Sequence, residues 1–215
     1  MAKKSARILQ VKITLAGSKP AIWRKILVSE NYSFFDLHVA IQDALGWEDS
    51  HLHQFFNQTP YGRNRDYQRA AFPMPEFDDG FEEKTLDERK LRLSEWLKSP
   101  KNKVYYEYDF GDGWMHEIKL EKILSTAANT KRPILLDGEN ACPPEDCGGL
   151  GGYYGLLEVL ADPKNPKHDD MMEWMGLDDP SDFNPASFDK TSVKFRDSKK
   201  VLKAYEKGFK VGRGA

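Results

Sequence analysis

The stretch YEYDFGDGWMHEI, residues 106–118, places two runs of alternating apolar and polar residues on either side of a turn. Such alternation is typical of a β-strand with one buried face, and Gly-Asp-Gly between two such runs is a strong hairpin signal. In the second run, Trp114 and His116 fall on the same face as Ile118 and Leu120. The stretch therefore predicts a hairpin with polar side chains at its turn.

The N-terminal part predicts a second hairpin and a helix. Residues 8–15 alternate, the segment AGSKP breaks the pattern, and residues 21–28 form the expected partner strand. Residues 33–45 predict a helix with Ser33 as N-cap and Gly46 after its last turn. Its expected buried stripe consists of Phe34, Leu37, Ile41 and Leu45.

The order of these elements predicts an α+β fold. We expect a mixed or antiparallel sheet built from the two hairpins and a short strand at residues 51–56, with the helix packed across it and further helices toward the C-terminus. Residues 1–189 are expected to form a single domain, with a mobile excursion at residues 57–90 because that segment lacks a steady period. Residues 190–215 are predicted to form a basic helical tail.

The composition limits the classes of partner. The chain has 215 residues, 40% of them hydrophobic, and a formal net charge of −2, so no global charge draws it to nucleic acid or anionic membrane. Only the tail from Lys190 is suited to nucleic acid. No apolar run approaches the ~20 residues of a membrane span, so we expect no membrane partner and a cytoplasmic location, where the cysteines stay reduced.

His51 and His53 are two residues apart in the predicted strand 51–56. Alternation would place both imidazoles on one face with Cα atoms ~7 Å apart, close enough to share a cation or a phosphate. The alternative is an ordinary polar strand face.

Asp109, Asp112 and His116 surround the turn of the central hairpin. An Asp–His pair can orient an imidazole for proton transfer or for metal binding. The alternatives are that the aspartates serve the turn alone and that His116 is a hydrogen-bonded core residue.

The loop CPPEDCGG, residues 142–149, contains Cys142 and Cys147 at the looser end of zinc-ligand spacing, with Glu145 and Asp146 between them. Two cysteines are half of a structural zinc site. The other ligands would be His51 and His53, or His116 with a carboxylate, and the alternative is free thiols in a rigid loop.

Four segments together resemble the plasmid pRiA4b ORF-3-like family: PAIWRKILV (20–28), FFDLHVAIQDALGWEDSHLHQF (34–55), YEYDFGDGWMHEI (106–118) and the long stretch from ACPPEDCGG to MMEWMG (141–176). The resemblance runs from about residue 8 to about residue 184. It implies an α+β fold of that family's own type and no established biochemistry. A resolvase label attached to some members implies a nucleophilic serine with an arginine cluster and a helix-turn-helix, and we identify neither in this sequence.

Two hypotheses of different classes follow. The first is a binding or accessory module of mobile elements with a polar surface patch, and the second is a metal-dependent hydrolase or nuclease that uses that patch to hold a divalent ion such as zinc. We favour the first, since no complete ligand set can be identified. The candidate patch consists of His51, His53, Asp109, Asp112, His116, Glu145 and Asp146, and the metal ligands would be Cys142, Cys147, His51 and His53.

Overall fold

The structure is a computed structural model that describes residues 7–62, 66–73, 85–125 and 132–211, with side chains as far as residue 207. One eight-stranded sheet forms its centre. The strands in chain order are β1 (Ile8–Leu15), β2 (Trp23–Ser29), β3 (His53–Phe56), β4 (Arg69–Ala71), β5 (Thr85–Asp87), β6 (Lys103–Tyr108), β7 (Trp114–Leu124) and β8 (Ile134–Glu139).

The strands lie in the order β5-β4-β3-β6-β7-β1-β2-β8. All neighbours are antiparallel except β4 and β5, so the sheet is mixed. The helices are α1 (Phe34–Leu45), α2 (Leu93–Trp96), α3 (Gly149–Ala161), α4 (His168–Met175) and α5 (Ser198–Val211). The predicted α+β class is confirmed.

Both predicted hairpins belong to this sheet. β1 pairs with β2 and also with β7, and β6 pairs with β7 so that Tyr106 lies opposite His116. Leu9, Val11 and Ile13 of β1 are fully buried. The alternation in these strands identified the core face because long antiparallel strands with one buried face keep a strict period of two.

The helix α1 packs against the buried face of the sheet. Its first turn closes with a capping box, in which the Ser33 side chain accepts from the Asp36 backbone N–H and the Asp36 carboxylate accepts from the Ser33 N–H. Gly46 ends the helix in the left-handed conformation. The burial of α1 extends beyond the predicted stripe and includes His38 and Gln42, whose side chains bond to the hydroxyl of Tyr106 in β6.

Several boundaries differ from the predictions. β3 begins at His53, so His51 lies in the preceding loop and not in a strand. The segment 57–90 contains β4 and β5, and β8 was not predicted at all. Residues 63–65 and 74–84 of the segment 57–90 lie outside the described residues, so the mobility of this segment stays a prediction.

The basic tail forms α5 from Ser198 onward, and α5 packs on α1. The Arg196 guanidinium just before α5 binds the Asp43 carboxylate, and the Tyr205 hydroxyl donates to Asp49 beyond the end of α1. The ring of Tyr205 also meets Phe35 edge to face. The tail therefore contacts the rest of the protein through ion pairs, hydrogen bonds and aromatic packing.

Within the described ranges, none of the helices combines the length and the apolar character that crossing a bilayer requires.

Candidate functional site

Three loops meet at one end of the sheet: the loop before β3, the turn between β6 and β7, and the loop before α3. The turn is tied to the first loop by the Asp109 backbone N–H, which donates to the Leu52 carbonyl over 2.9 Å. It is tied to the third loop by the Gly148 N–H, which donates to the Asp112 carboxylate over 3.1 Å. Gly149 lies so close that a Cβ there would be 2.5 Å from the Asp112 carbonyl oxygen. These hydrogen bonds, together with the lack of a Cβ at Gly149, keep the three loops in close contact.

His51 projects into the space where the loops meet. Its Nε2 atom is shielded from solvent and has no hydrogen-bond partner among the described residues. The atom nevertheless lies 3.1 Å from the Asp146 Oδ1 and 3.8 Å from the Asp109 Oδ2. A ring nitrogen that faces carboxylate oxygens without hydrogen-bond geometry is the arrangement expected of ligands directed at a common cation.

Asp109 is buried, and its two oxygens have different roles. Oδ1 accepts from the backbone N–H groups of Gly111 and Asp112 at 2.9 and 3.4 Å, so the turn fixes the orientation of the carboxylate. Oδ2 is the atom that faces His51. The expectation that Asp109 serves the turn is thus met by one oxygen, and the other remains available to a ligand.

Asp146 closes the cluster from the solvent side. Its side chain is 68% exposed and comes from the loop before α3. Among the described residues, His51, Asp109 and Asp146 are the one group of three or more metal-ligating side chains whose ligand atoms all lie within 4.8 Å of one another. Bonds of about 2.0–2.2 Å to one ion place neighbouring ligand atoms roughly 3.0–3.5 Å apart. The 3.1 Å separation of His51 Nε2 from Asp146 falls in this range, and the 3.8 Å separation from Asp109 would shorten on binding.

The remaining residues of the candidate patch divide between this cluster and the core. Glu145 lies beside Asp146 and accepts a hydrogen bond from the Tyr108 hydroxyl. Asp112 is engaged by Gly148, so it braces the loop and does not belong to the three-residue group. His53 and His116 lie on the buried face of the sheet.

The cysteines lie in the same loop, but the structure does not bring them into the group. Cys142 lines a cavity of about 580 Å³ next to Arg24 and Trp47. Cys147 directs its Sγ toward the Gly149 carbonyl at 3.9 Å. Burial raises the pKa of both thiols, that of Cys147 to about 11, so both are protonated at neutral pH. The four-residue set of Cys142, Cys147, His51 and His53 is not assembled in this structure.

His53 belongs to a buried network that the sequence did not reveal. Its imidazole stacks on that of His38 with ring centroids 3.4 Å apart and an angle of 4° between the planes. Its Nε2 lies 3.0 Å from both carboxylate oxygens of Glu88, a residue with no exposed surface. His51 precedes the strand and faces Asp146, whereas the ring of His53 binds Glu88 in the core, so the two imidazoles have different partners.

His38 occupies the centre of this network. Burial, followed by the neighbouring His53, lowers the pKa of His38 to about 4, so the ring is neutral. Its Nε2 donates to Asp49 over 2.8 Å, since a carboxylate can only accept, and its Nδ1 accepts from the Tyr106 hydroxyl over 2.8 Å. The signal available in the sequence was that His38 lies four residues after Phe34, on the buried side of α1.

His116 is a core histidine. Its Nδ1 donates to the Trp114 carbonyl over 3.0 Å, and its Nε2 has no partner among the described residues. Burial lowers the pKa of His116 to about 4. The expected face of Trp114, His116, Ile118 and Leu120 is confirmed, since all four side chains are buried.

The fold and the cluster define a mixed α+β protein that carries a histidine–carboxylate group where three loops meet at one end of its sheet. The chain belongs to the plasmid pRiA4b ORF-3-like protein family, whose profile matches residues 7–192. The family assignment made from the four sequence segments is therefore confirmed.

Two relatives agree with this assignment. The chain is 36% identical over 175 residues to the uncharacterized protein y4hQ of Sinorhizobium fredii, a match that covers 81% of this chain and 84% of that protein. It is similar to the crystal structure of MM3350, a protein of unknown function from Methanosarcina mazei Go1, with a TM-score of 0.73 and 35% identity. That match covers 88% of this chain and 99% of the other. The fold therefore extends over nearly the whole of a solved relative.

Proposed function

We propose that the protein is a divalent-metal-binding module in which His51, Asp109 and Asp146 hold the ion. The observation that carries the proposal is the His51 Nε2 atom, which is shielded from solvent, makes no hydrogen bond within the described part of the chain, and faces two carboxylate oxygens. A bound cation would satisfy this atom and offset the charge of the two aspartates.

One imidazole nitrogen with carboxylate oxygens suits zinc or manganese better than a soft thiophilic ion. Three protein ligands leave at least one coordination position for water or for a ligand group. Because the ligands come from three loops, the ion would also join those loops and make the exposed rim around Asp146 a defined surface. The module would thus recognise its ligand or partner through a metal-dependent patch.

The experiment is calorimetric titration of the chelator-treated protein with Zn²⁺ and Mn²⁺. We expect one ion to bind per chain and His51→Ala to weaken binding by more than the roughly 10–100-fold that loss of an outer-sphere partner costs. His168→Ala is the matched control, because His168 also lies beside a carboxylate, that of Asp169 at 3.3 Å, but belongs to no ligand group among the described residues.

Binding that is equally weakened by both substitutions, or unaffected by His51→Ala, would contradict the assignment of the ion to this site. Circular dichroism of each variant before titration separates loss of a ligand from loss of the fold.

A second candidate function is a metal-dependent hydrolase or nuclease. It is supported by the exposure of Asp146 and by Glu145, a second acid at the preceding position of the same loop. An ion here would lower the pKa of a bound water and make it a nucleophile. Release of nitrophenol from bis-p-nitrophenyl phosphate by the Mn²⁺-loaded protein, abolished in Asp109→Asn, would favour this candidate over the binding module.

The association with mobile elements is part of the same proposal, and it is supported by the plasmid named in the family description. Nucleic acid is a proposed partner only through the basic tail, where Lys199, Lys200, Lys203 and Lys207 are exposed. Fluorescence anisotropy with a generic DNA duplex should show binding that weakens as salt increases, because phosphate contacts release counterions. Charge reversal of Lys203 and Lys207 should reduce the salt slope, and an unchanged slope would rule out the tail.

A further inference from the structure

The hydroxyl of Tyr108 connects two of the three loops that form the proposed metal site. Tyr108 is the last residue of β6 and is fully buried. Its oxygen accepts from the backbone N–H groups of Ser50 and His51 at 2.9 and 3.3 Å, and its proton is donated to the Glu145 carboxylate. One atom therefore fixes the backbone of one ligand residue, His51, and the side chain of the residue next to another, Asp146.

The hydrogen bonds of Tyr108 give this connection a direction. The hydroxyl donates its single proton to the Glu145 carboxylate, which can only accept, and it accepts from the two backbone N–H groups. A protonated hydroxyl can donate one hydrogen bond and accept others, and all of these are used here. The carboxylate of Glu145 is the acceptor, so the loop before α3 is held toward β6.

Trp47 supports the same loop from the other side of the ring. Its indole stacks on Tyr108 with centroids 5.0 Å apart, and its Nε1–H donates to the Pro143 carbonyl over 2.9 Å. The loop that carries Glu145 and Asp146 is thus fastened at two points to buried aromatic residues. Because Asp146 itself is exposed, these two points set where its carboxylate lies relative to His51.

We propose that Tyr108 is a positioning residue for the metal site, which brings His51 and Asp146 to ligand distance through its hydroxyl. This inference rests on the proposed function. It identifies a residue that touches no ligand atom of the ion and yet determines the geometry of the site, as outer-sphere partners do in metalloproteins.

The test compares Co²⁺ binding by the wild-type protein, Tyr108→Phe and Tyr106→Phe, followed by calorimetry and by the visible absorption of the bound ion, which reports coordination geometry. Tyr106 is the matched control because it lies two residues earlier on the same buried face, and its hydroxyl bonds to His38 and Gln42 and not to the site loops. Both substitutions remove one buried hydroxyl and keep the ring.

We expect Tyr108→Phe to bind Co²⁺ about 10–100-fold more weakly with an altered spectrum, and Tyr106→Phe to keep the wild-type affinity and spectrum even if it melts at a lower temperature. Glu145→Leu removes the acceptor of the Tyr108 proton and should reproduce the loss, whereas Glu145→Gln keeps an acceptor and should bind Co²⁺ more tightly than Glu145→Leu. Comparison of Glu145→Gln with Glu145→Leu also tests the hydrogen bond between Tyr108 and Glu145 if Tyr108→Phe does not fold.

Equal affinity and spectrum in the wild type, Tyr108→Phe and Glu145→Leu would overturn the role of Tyr108 and leave the metal site standing. Absence of Co²⁺ binding by the wild type would overturn the metal site itself. The two failures are therefore distinguishable.

Discussion

At the scale of single residues, two of the three proposed ligands adopt a backbone conformation that side chains seldom occupy. Asp109 has a φ of 56° and Asp146 a φ of 60°, both in the left-handed region. Aspartate tolerates this region better than most residues because its short side chain bonds locally, as Asp109 does with the N–H of Gly111. Two such residues facing one histidine suggest that the chain accepts a strained backbone in order to place these carboxylates.

Comparison of Asp146→Gly with Asp146→Ala separates the backbone strain at position 146 from the role of its carboxylate as a metal ligand. Glycine adopts a positive φ freely and alanine does not, so we predict that Asp146→Gly is more stable than Asp146→Ala by about 1 kcal/mol in urea unfolding without metal. Both variants should lose tight metal binding, because neither has a carboxylate. Equal stability of the two would show that position 146 relaxes out of the left-handed region.

The buried His116 should make the free energy of unfolding depend on pH. Its pKa is lowered from 6.5 to about 4 by burial, so between these values the unfolded chain binds a proton that the native protein does not. The contribution of His116 to the free energy of unfolding is therefore fully present above the unfolded pKa and decreases as pH falls from about 6.5 toward 4. From one such histidine we expect a loss of about 2 kcal/mol between pH 7 and pH 5.

Denaturant unfolding of the wild type and of His116→Leu at pH 7 and pH 5 measures this contribution. The variant should be less stable at pH 7, since it lacks the bond to the Trp114 carbonyl, but it should lose less stability on acidification. His38 has the same lowered pKa and contributes in the same direction, so some pH dependence should persist. A variant as sensitive to acid as the wild type would show that His116 does not titrate in this range.

At the scale of elements, the helix α1 depends on its first turn. Ser33 and Asp36 form the capping box, and Asp36 also accepts from the hydroxyl of Ser198 at the start of α5. We predict that Ser33→Ala lowers the free energy of unfolding by about 0.5–2 kcal/mol, because it leaves the Asp36 backbone N–H without its acceptor. Ser198→Ala is the control, since it removes one bond to Asp36 and leaves the cap intact. A larger loss in Ser198→Ala than in Ser33→Ala would contradict this view of the cap.

The elements that could be predicted from the sequence are those whose signals are local. The hairpin through Gly111–Gly113 and the helix at Ser33 combine a hydrophobic period with turn or cap residues, and tertiary contacts only reinforce them. The start of β3 could not be predicted in this way. His53 is buried because Glu88, 35 positions later, supplies its partner, and no local pattern carries that information.

The candidate site likewise has parts that local sequence could predict and parts that only the folded structure shows. The loop CPPEDCGG and the turn DFGDG were identified by their composition, and the structure brings Asp146 and Asp109 from these regions together with His51. The cysteines are the most conspicuous metal-ligating residues in the sequence, but the direction of a side chain in a loop is set by what the loop packs against. Trp47 and Tyr108 fasten this loop, and neither contact is visible before the fold is known.

At the scale of the whole molecule, α5 lies beyond the range matched by the family profile, which ends at residue 192, and yet it packs on α1. The hydroxyl of Tyr205 donates to Asp49, and the Arg196 side chain binds Asp43. We predict that truncation after residue 189 lowers the melting temperature, because it uncovers Phe35 and removes these bonds.

Tyr205→Phe tests one part of that contact. It keeps the ring against Phe35 and removes only the hydrogen bond, so it should cost about 1 kcal/mol in unfolding free energy, less than the truncation. A truncated protein as stable as the full chain would mean that α5 contributes nothing to the fold and serves only as a separate basic tail.

The central claim is that His51, Asp109 and Asp146 bind one divalent ion, and a crystal structure grown with Mn²⁺ or Zn²⁺ tests it most directly through the anomalous signal of the metal. The account predicts one strong peak about 2.0–2.2 Å from the His51 Nε2 and from one carboxylate oxygen of each aspartate. A metal held instead by Cys142 and Cys147, or no peak within bonding distance of His51 at saturating metal, would contradict it.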